Sequence, residues 1–330
     1  MANPKENIRI LLTEQCNANC ASCFNKNVRT GLHMDMNDYK QLIDYLSGNG
    51  ISFLKVMGGE PTVHPHFEEA IQLAGEKFGK LCIFTNALNE KIKNITLREA
   101  DIIVYNYSFV NQSFDLDKML PDELGSRLLE VQISSGTNAD SLISGLAYFF
   151  RHVSDDKINI SLTLDCMEDI FANRDVIIEK WNQIVVFILT ELKKRYVFDH
   201  SIPWCFFENT DMLIRHEKRL CSIHCAGLIT TDLRLQHCNQ CQEKGVYLKT
   251  GDGFIPYDQV LQSLSRMNQA KIQANKDKIC SGCGIFASKC NGGCFIHKTF
   301  INPAGIPLNP PQKLTINPKN YGEQYGEKNE

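Results

Sequence analysis

The sequence predicts an α/β protein, an open or partial barrel of parallel strands followed by a small cysteine-rich region. Three observations carry this. Apolar, β-branched runs alternate with stretches whose apolar residues recur at helical spacing, the pattern of repeating βα units. About six such strand runs fall short of the eight that close a barrel. After about residue 215 the alternation gives way to short strands, turns and eight of the chain's 14 cysteines.

The elements follow in chain order. IRILLTE (8–14), ISFLKVMGG (51–59), KLCIFTNA (80–87), DIIVYNYSF (101–109), KINISLTLD (157–165) and YVFDHSIPWCFF (196–207) are apolar enough to be strands buried on both faces. Between them MNDYKQLIDYLSGNG, HPHFEEAIQLAGEKFG, NADSLISGLAYFFRHV and RDVIIEKWNQIVVFILTELKKRY carry helical periodicity. Residues 110–137 show no clear period and stay unassigned. The expectation is a partial (β/α)6 TIM-like barrel over residues 1–214 and a cysteine-rich domain over 215–300. Residues 301–330, rich in Pro, Asn, Gly and charge, read as a disordered or surface-lying tail.

Composition excludes several function classes. With 330 residues and 43% hydrophobic content the chain can bury a large core. No stretch approaches the roughly 18 uninterrupted apolar residues of a spanning helix, and the start, MANPKENIRILLTEQC, has only a short apolar run. A cytoplasmic protein without a membrane partner is expected. A formal charge of −3 with scattered Lys and Arg gives no footprint for nucleic acid. Cysteines bunched at short spacings in a chain without an export signal read as ligands of a metal or cluster, not as a disulfide framework.

The first cysteine group, Cys16, Cys20 and Cys23 in TEQCNANCASCFN, has the spacing C-x3-C-x2-C directly after the first strand, at the edge where barrels place their chemistry. Taken alone it is also half a zinc site. A cubane iron–sulfur cluster takes one thiolate per iron, so three cysteines leave one iron open. The stretch GGEPT ends the next strand: Gly58 and Gly59 let a ligand approach the backbone closely, and Glu60, followed by Pro61, supplies an acceptor for an ammonium group.

Strand, cysteine loop, helix, strand and GGEP in that order resemble the radical S-adenosylmethionine superfamily. The resemblance implies that Cys16, Cys20 and Cys23 hold a 4Fe-4S cluster whose open iron takes the amine and carboxylate of S-adenosylmethionine, and that Gly58, Gly59, Glu60 and Pro61 contact its amino group. Where the family often has an aromatic residue before the third cysteine, this chain has Ser22, with Phe24 just after the cysteine. Thr85 and Asn86 resemble a family position near the cofactor. Ser161, Thr163 and Asp165 alternate toward one face of the fifth predicted strand, where they serve ribose, substrate or packing.

The second cysteine region holds Cys221, Cys225, Cys238 and Cys241, then Cys280, Cys283, Cys290 and Cys294 in a C-x2-C-x6-C-x3-C run. AGLITTDLRLQH, between Cys225 and Cys238, reads as a hairpin with a Thr-Asp turn. The region resembles the SPASM and Twitch extensions of the same superfamily. By that analogy Cys221, Cys225, Cys238 and Cys294 hold one auxiliary 4Fe-4S cluster, and Cys280, Cys283 and Cys290, with Cys241 as a candidate fourth ligand, hold a second. The alternative is a zinc ribbon from the pairs Cys238/Cys241 and Cys280/Cys283.

Cys82 lies inside an apolar strand and reads as core, whereas Cys166 and Cys205, near the ends of predicted strands, are candidate hydrogen-atom donors to a substrate radical. His33, His64 and His66 cluster near the early loops as exposed or capping residues. The resemblance implies reductive cleavage of S-adenosylmethionine to a 5′-deoxyadenosyl radical, with electrons from a low-potential donor such as flavodoxin or ferredoxin. It implies as substrate a peptide that is crosslinked, oxidised or epimerised, with oxidation or epimerisation of a small molecule such as a sugar or aminocyclitol as the alternative. The predicted barrel begins by about residue 8, so no fused leader-binding domain is expected in front of it, which weighs against a peptide unless a separate leader-binding protein supplies that recognition. A non-catalytic cluster or zinc protein is the reading from a different class.

Overall fold

The computed structural model describes residues 7–20, 23, 30–106, 126–152, 158–164, 173–194, 196–198, 227–236, 245–251 and 253–278. Seven parallel strands follow one another in space as in sequence: β1 (Asn7–Thr13), β2 (Phe53–Gly58), β3 (Lys80–Thr85), β4 (Ile102–Asn106), β5 (Ser126–Ile133), β6 (Ile158–Leu164) and β7 (Tyr196–Phe198). That is one strand more than six, and the addition, β5, falls in the stretch whose periodicity was unreadable. Among the described residues the row is open between β7 and β1, as a partial barrel requires.

Sequential order fixes the layering. Right-handed crossovers that always step the same way along the sheet put every helix on one face. Those helices are α1 (Met36–Gly48), α2 (Phe67–Lys77), α3 (Ala139–His152) and α4 (Arg174–Thr190). Each begins or packs for a local reason. The Asp35 side chain caps α1 by accepting from the Asn37 and Asp38 N–H groups, and Tyr39, Leu42, Ile43 and Leu46 form its buried stripe. Phe67, Ala70, Ile71 and Ala74 repeat that spacing on α2, and the Tyr39 hydroxyl donates to Ala70 O at 2.7 Å across the two helices.

Alternation along the strands sorts residues between the helical face and the inner face. Ile8, Ile10, Leu54, Val56, Leu81, Ile83, Ile103, Leu129, Val131, Ile160 and Leu162 join the helices in one core. The alternate positions, including Cys82, Val104, Glu130, Ser161 and Thr163, line the inner face. Cys82 and Val104 are buried yet outside the main cluster, as that placement demands.

The sheet continues past β1. The hairpin expected around the Thr-Asp turn is present as β8 (Leu228–Ile229) and β9 (Arg234–Gln236), antiparallel with Leu228 opposite Gln236. β8 pairs in parallel with β1 through Arg9 and Ile10, and β10 (Val246–Tyr247) adds an edge strand to β9. Leu233 closes the turn with φ 60°. A small ribbon, β11 (Lys249–Thr250) and β12 (Gly253–Phe254), leads into α5 (Tyr257–Lys278). Phe254 stacks on Tyr45 of α1 with ring centres 4.6 Å apart, the Tyr45 hydroxyl donates to Ile255 O at 2.8 Å, and Lys249 pairs with Asp38 at 2.6 Å. Val260 and Leu264 enter the main core. This C-terminal segment is thereby fastened to the first strand and first helix. Among the described residues no helix is long and apolar enough to cross a membrane.

Candidate radical-chemistry site

The ends of β1, β2 and β3 form one continuous hydrogen-bonded frame. The loop leaving β1 carries Cys16, Cys20 and Cys23, all half-buried, with a turn in which Cys23 N–H donates to Cys20 O at 3.3 Å. The next strand ends in the GGEP turn, packed against this loop. Gly59 N–H donates to Thr13 O and Glu60 N–H to Gln15 O, each at 2.8 Å. The glycines are required by that contact itself. A Cβ on Gly58 would lie 2.7 Å from Thr13 O, and one on Gly59 only 2.3 Å from Gln15 O. The space that these glycines leave is filled by the protein's own backbone at Thr13 and Gln15.

Glu60 is 1% exposed and is the knot of the frame. Its Oε1 accepts from Thr62 N–H at 3.1 Å, the Thr62 hydroxyl at 2.7 Å and the Thr85 hydroxyl at 2.9 Å. Its Oε2 accepts from Asn86 N–H at 2.6 Å. Burial raises the Glu60 carboxyl above the usual carboxylate range, against the pull of these four donors, which favour the charged form. Pro61 opens the short 3-10 turn Pro61–Val63, where its missing N–H is no loss.

From β3 the frame returns to the cysteines. The Asn86 side-chain amide donates to Asn17 Oδ1 at 2.8 Å and lies 3.9 Å from Cys16 Sγ, and Ala18 N–H reaches the same sulfur at 3.4 Å. Ala87, fully buried, holds a left-handed φ of 57°, a conformation that disfavours non-glycine residues and turns the chain sharply after Asn86.

Two neighbouring histidines complete the surroundings. His64 is 1% exposed, not surface-lying; its Nδ1 accepts from His66 N–H at 3.1 Å, so Nε2 carries the proton and donates to Met34 O at 3.0 Å. Burial pushes this imidazole below its usual range, and it is a neutral staple. His33 faces Thr13 Oγ1 at 2.8 Å and meets the His64 ring edge-on.

The predicted site residues therefore divide. Cys16, Cys20, Cys23, Gly58, Gly59, Glu60, Pro61, Thr85 and Asn86 sit together at the C-terminal edge of three adjacent strands. Ser161 and Thr163, 3% and 1% exposed, lie on the inner face of β6, with Ser161 in register with Glu130. Asp165, Cys166, Cys205, Cys221, Cys225, Cys238, Cys241, Cys280, Cys283, Cys290 and Cys294 lie outside the described residues. Sequence reasoning missed Thr62, Asn17 and Glu14, whose partners are set by folding and leave no local pattern.

Among the described residues no three His, Cys, Asp or Glu side chains gather tightly enough for a single metal ion. A four-iron cluster asks for something else, one thiolate on each iron. Three half-buried thiols on one loop, with the Asn86 amide directed at Cys16 Sγ, would supply thiolates to three of the four irons.

Residues 10–108, which run from within β1 through β4 and include the whole frame, match the Radical SAM superfamily. The chain is 32% identical over 84 residues, 24% of its length, to a GTP 3′,8-cyclase of Chlorobaculum tepidum. It is 33% identical over 76 residues, 23% of its length, to the antilisterial bacteriocin subtilosin biosynthesis protein AlbA of Bacillus subtilis. These matches span 26% and 17% of the two relatives. In fold the chain is similar to Streptococcus suis SuiB. The S-adenosylmethionine-bound form superposes with TM-score 0.57 at 15% identity, over 88% of this chain and 73% of that one. The form bound to precursor peptide SuiA gives 0.52 at 12% identity, over 73% and 62%.

Proposed function

Because residues 10–108 are a radical S-adenosylmethionine domain, whose cofactors are a 4Fe-4S cluster and S-adenosylmethionine, we propose that the protein is an enzyme that modifies a peptide by radical chemistry. When bound, the cofactors supply an electron to the sulfonium and so a 5′-deoxyadenosyl radical able to remove a hydrogen atom from substrate. The protein's residues bind and orient. Cys16, Cys20 and Cys23 are the cluster ligands, and Asn86 fixes the loop at Cys16. Glu60 holds the ends of β2 and β3 in one piece. A carboxylate offers about four acceptor positions; three protein donors meet at Oε1 while Oε2 takes one, so Oε2 keeps acceptor capacity that suits an ammonium group. Ser161 and Thr163, on the inner face of β6, are assigned together with Asp165 to ribose or substrate.

The observation that carries the reading is the contact of the GGEP turn and Asn86 with the cysteine loop. A peptide substrate is supported by the fold shared with SuiB, crystallised with a precursor peptide, and by the stretch shared with AlbA. The likeness to a GTP 3′,8-cyclase supports a second reading, a small-molecule substrate. In either case Cys221, Cys225, Cys238 and Cys294 are proposed to bind an auxiliary cluster, and Cys280, Cys283, Cys290 and Cys241 a second. The hairpin β8–β9, which in sequence sits between Cys225 and Cys238, supports the first set. A flavodoxin or ferredoxin is the proposed electron source, a separate leader-binding protein the proposed peptide receptor, and the cytoplasm the proposed location.

Oxidation and epimerisation leave different products. Mass spectrometry of product made in heavy water distinguishes them: loss of two hydrogens without new deuterium marks oxidation, the outcome we favour. One deuterium gained, and lost again in Cys166→Ala or Cys205→Ala, marks epimerisation with that thiol as donor and overturns the preference.

A further inference from the structure

The cysteine loop departs at the end of β1 and returns at residue 30, and its two ends meet on one side chain. Glu14 Oε2 accepts Thr30 N–H at 2.5 Å and also the Thr30 hydroxyl, while Glu14 N–H donates to Leu32 O at 2.8 Å. The other carboxylate oxygen faces a distant part of the chain. Oε1 accepts the hydroxyl of Thr231 at 3.0 Å, from the turn of the β8–β9 hairpin, 217 residues later. Thr231 is 7% exposed, and the hairpin is held beside it by Arg9 N–H donating to Gly227 O at 3.0 Å.

We infer that Glu14 is a positioning residue through which the docked C-terminal hairpin tightens the loop that carries Cys16, Cys20 and Cys23. Closing a loop of this length has an entropic cost that charge-assisted hydrogen bonds offset. A glutamate bonded at one oxygen alone keeps much of its rotamer freedom, and the Thr231 hydroxyl removes it. Glu14 is thereby fixed in the pose that reaches Thr30. The hairpin lies between Cys225 and Cys238, so the link also joins the first cysteine loop to the region assigned to auxiliary clusters. The inference rests on the reading of this loop as the cluster-binding one.

The test uses the full chain and Thr231→Val, which keeps the shape and removes the donor, with Thr231→Ser restoring it. Amide hydrogen exchange in residues 15–32 should quicken about tenfold in Thr231→Val and return to the wild-type rate in Thr231→Ser. In protein reconstituted with iron and sulfide, chelator should bleach the cluster absorbance correspondingly faster in Thr231→Val, again with rescue by serine. Glu14→Gln weakens the same link from its other end, and combining it with Thr231→Val should add little to either change. Faster exchange confined to residues 227–236, failure of serine to rescue, or full additivity would overturn the inference. A protein that takes up no iron overturns the cluster reading, while the exchange experiment still decides whether the hairpin tightens the loop.

Discussion

The Glu60 carboxylate accepts the Asn86 N–H at 2.6 Å, and through that bond the end of β2 sets the position of the amide that faces Cys16 Sγ. A residue that the motif presents as a cofactor contact is therefore also the brace between two strands and the cysteine loop. Perturbations of Glu60 should be felt in the fold before any cofactor is added.

Glu60→Ala leaves four donors, two of them backbone N–H groups, without their buried acceptor. We expect it to lower stability by about 3 kcal/mol or more, read as a lower urea midpoint for the iron-free protein. An unchanged midpoint with weakened S-adenosylmethionine binding would show that the carboxylate serves the cofactor alone.

Gly59→Ala and Gly75→Ala should move stability in opposite directions. The first drives a methyl group onto Gln15 O, whose position is fixed by the Glu60 N–H bond, and should cost about 2 kcal/mol. The second adds a methyl group to α2 where nothing lies within 4 Å, and should contribute about 1 kcal/mol through helix propensity. Thermal unfolding of the two variants checks both signs.

These positions also mark how far the sequence was legible. Strands β1 to β4 announce themselves as runs dominated by apolar residues, and β6 by Ile and Leu at alternate positions with uncharged polar side chains between them. β5 does not, since Glu130 and Gln132 interrupt SRLLEVQI on its inner face and break the run. The site's cysteines and GGEP turn were readable as local spacing. The donors to Glu60 were not, because Thr85 and Asn86 come within reach only when β2 and β3 pair. Neither was Thr231, whose partner lies at the opposite end of the chain.

Asp101, 1% exposed, gives the fold an acid-sensitive point. Burial pushes its carboxyl up, but hydrogen bonds from the Arg98 side chain, Arg98 N–H and Leu81 N–H, with the guanidinium charge, outweigh it and hold the carboxyl below its ordinary value. A carboxyl so lowered stabilises the fold at pH above its unfolded value, and that contribution is lost as pH falls through the folded value. Asp101→Asn should therefore be less stable than wild type near pH ~7, and the gap should narrow as denaturation is repeated toward pH ~3. A gap independent of pH would contradict this.

The metal content separates the C-terminal alternatives. With one cluster on the first loop, one auxiliary cubane brings the total to about eight irons per chain, two bring about twelve, and a zinc ribbon gives about four irons plus zinc. We expect eight to twelve by elemental analysis of protein purified without oxygen, and stoichiometric zinc would remove the auxiliary-cluster assignment.

The central claim is that Cys16, Cys20 and Cys23 hold the cluster that cleaves S-adenosylmethionine. The most direct measurement is 5′-deoxyadenosine formation by anaerobically reconstituted, reduced wild type and by the variant with all three cysteines replaced by Ala. Wild type should form 5′-deoxyadenosine and the triple variant none, while the variant keeps the metal bound to its C-terminal cysteines. Continued 5′-deoxyadenosine formation by the triple variant, or none by wild type, would contradict the assignment.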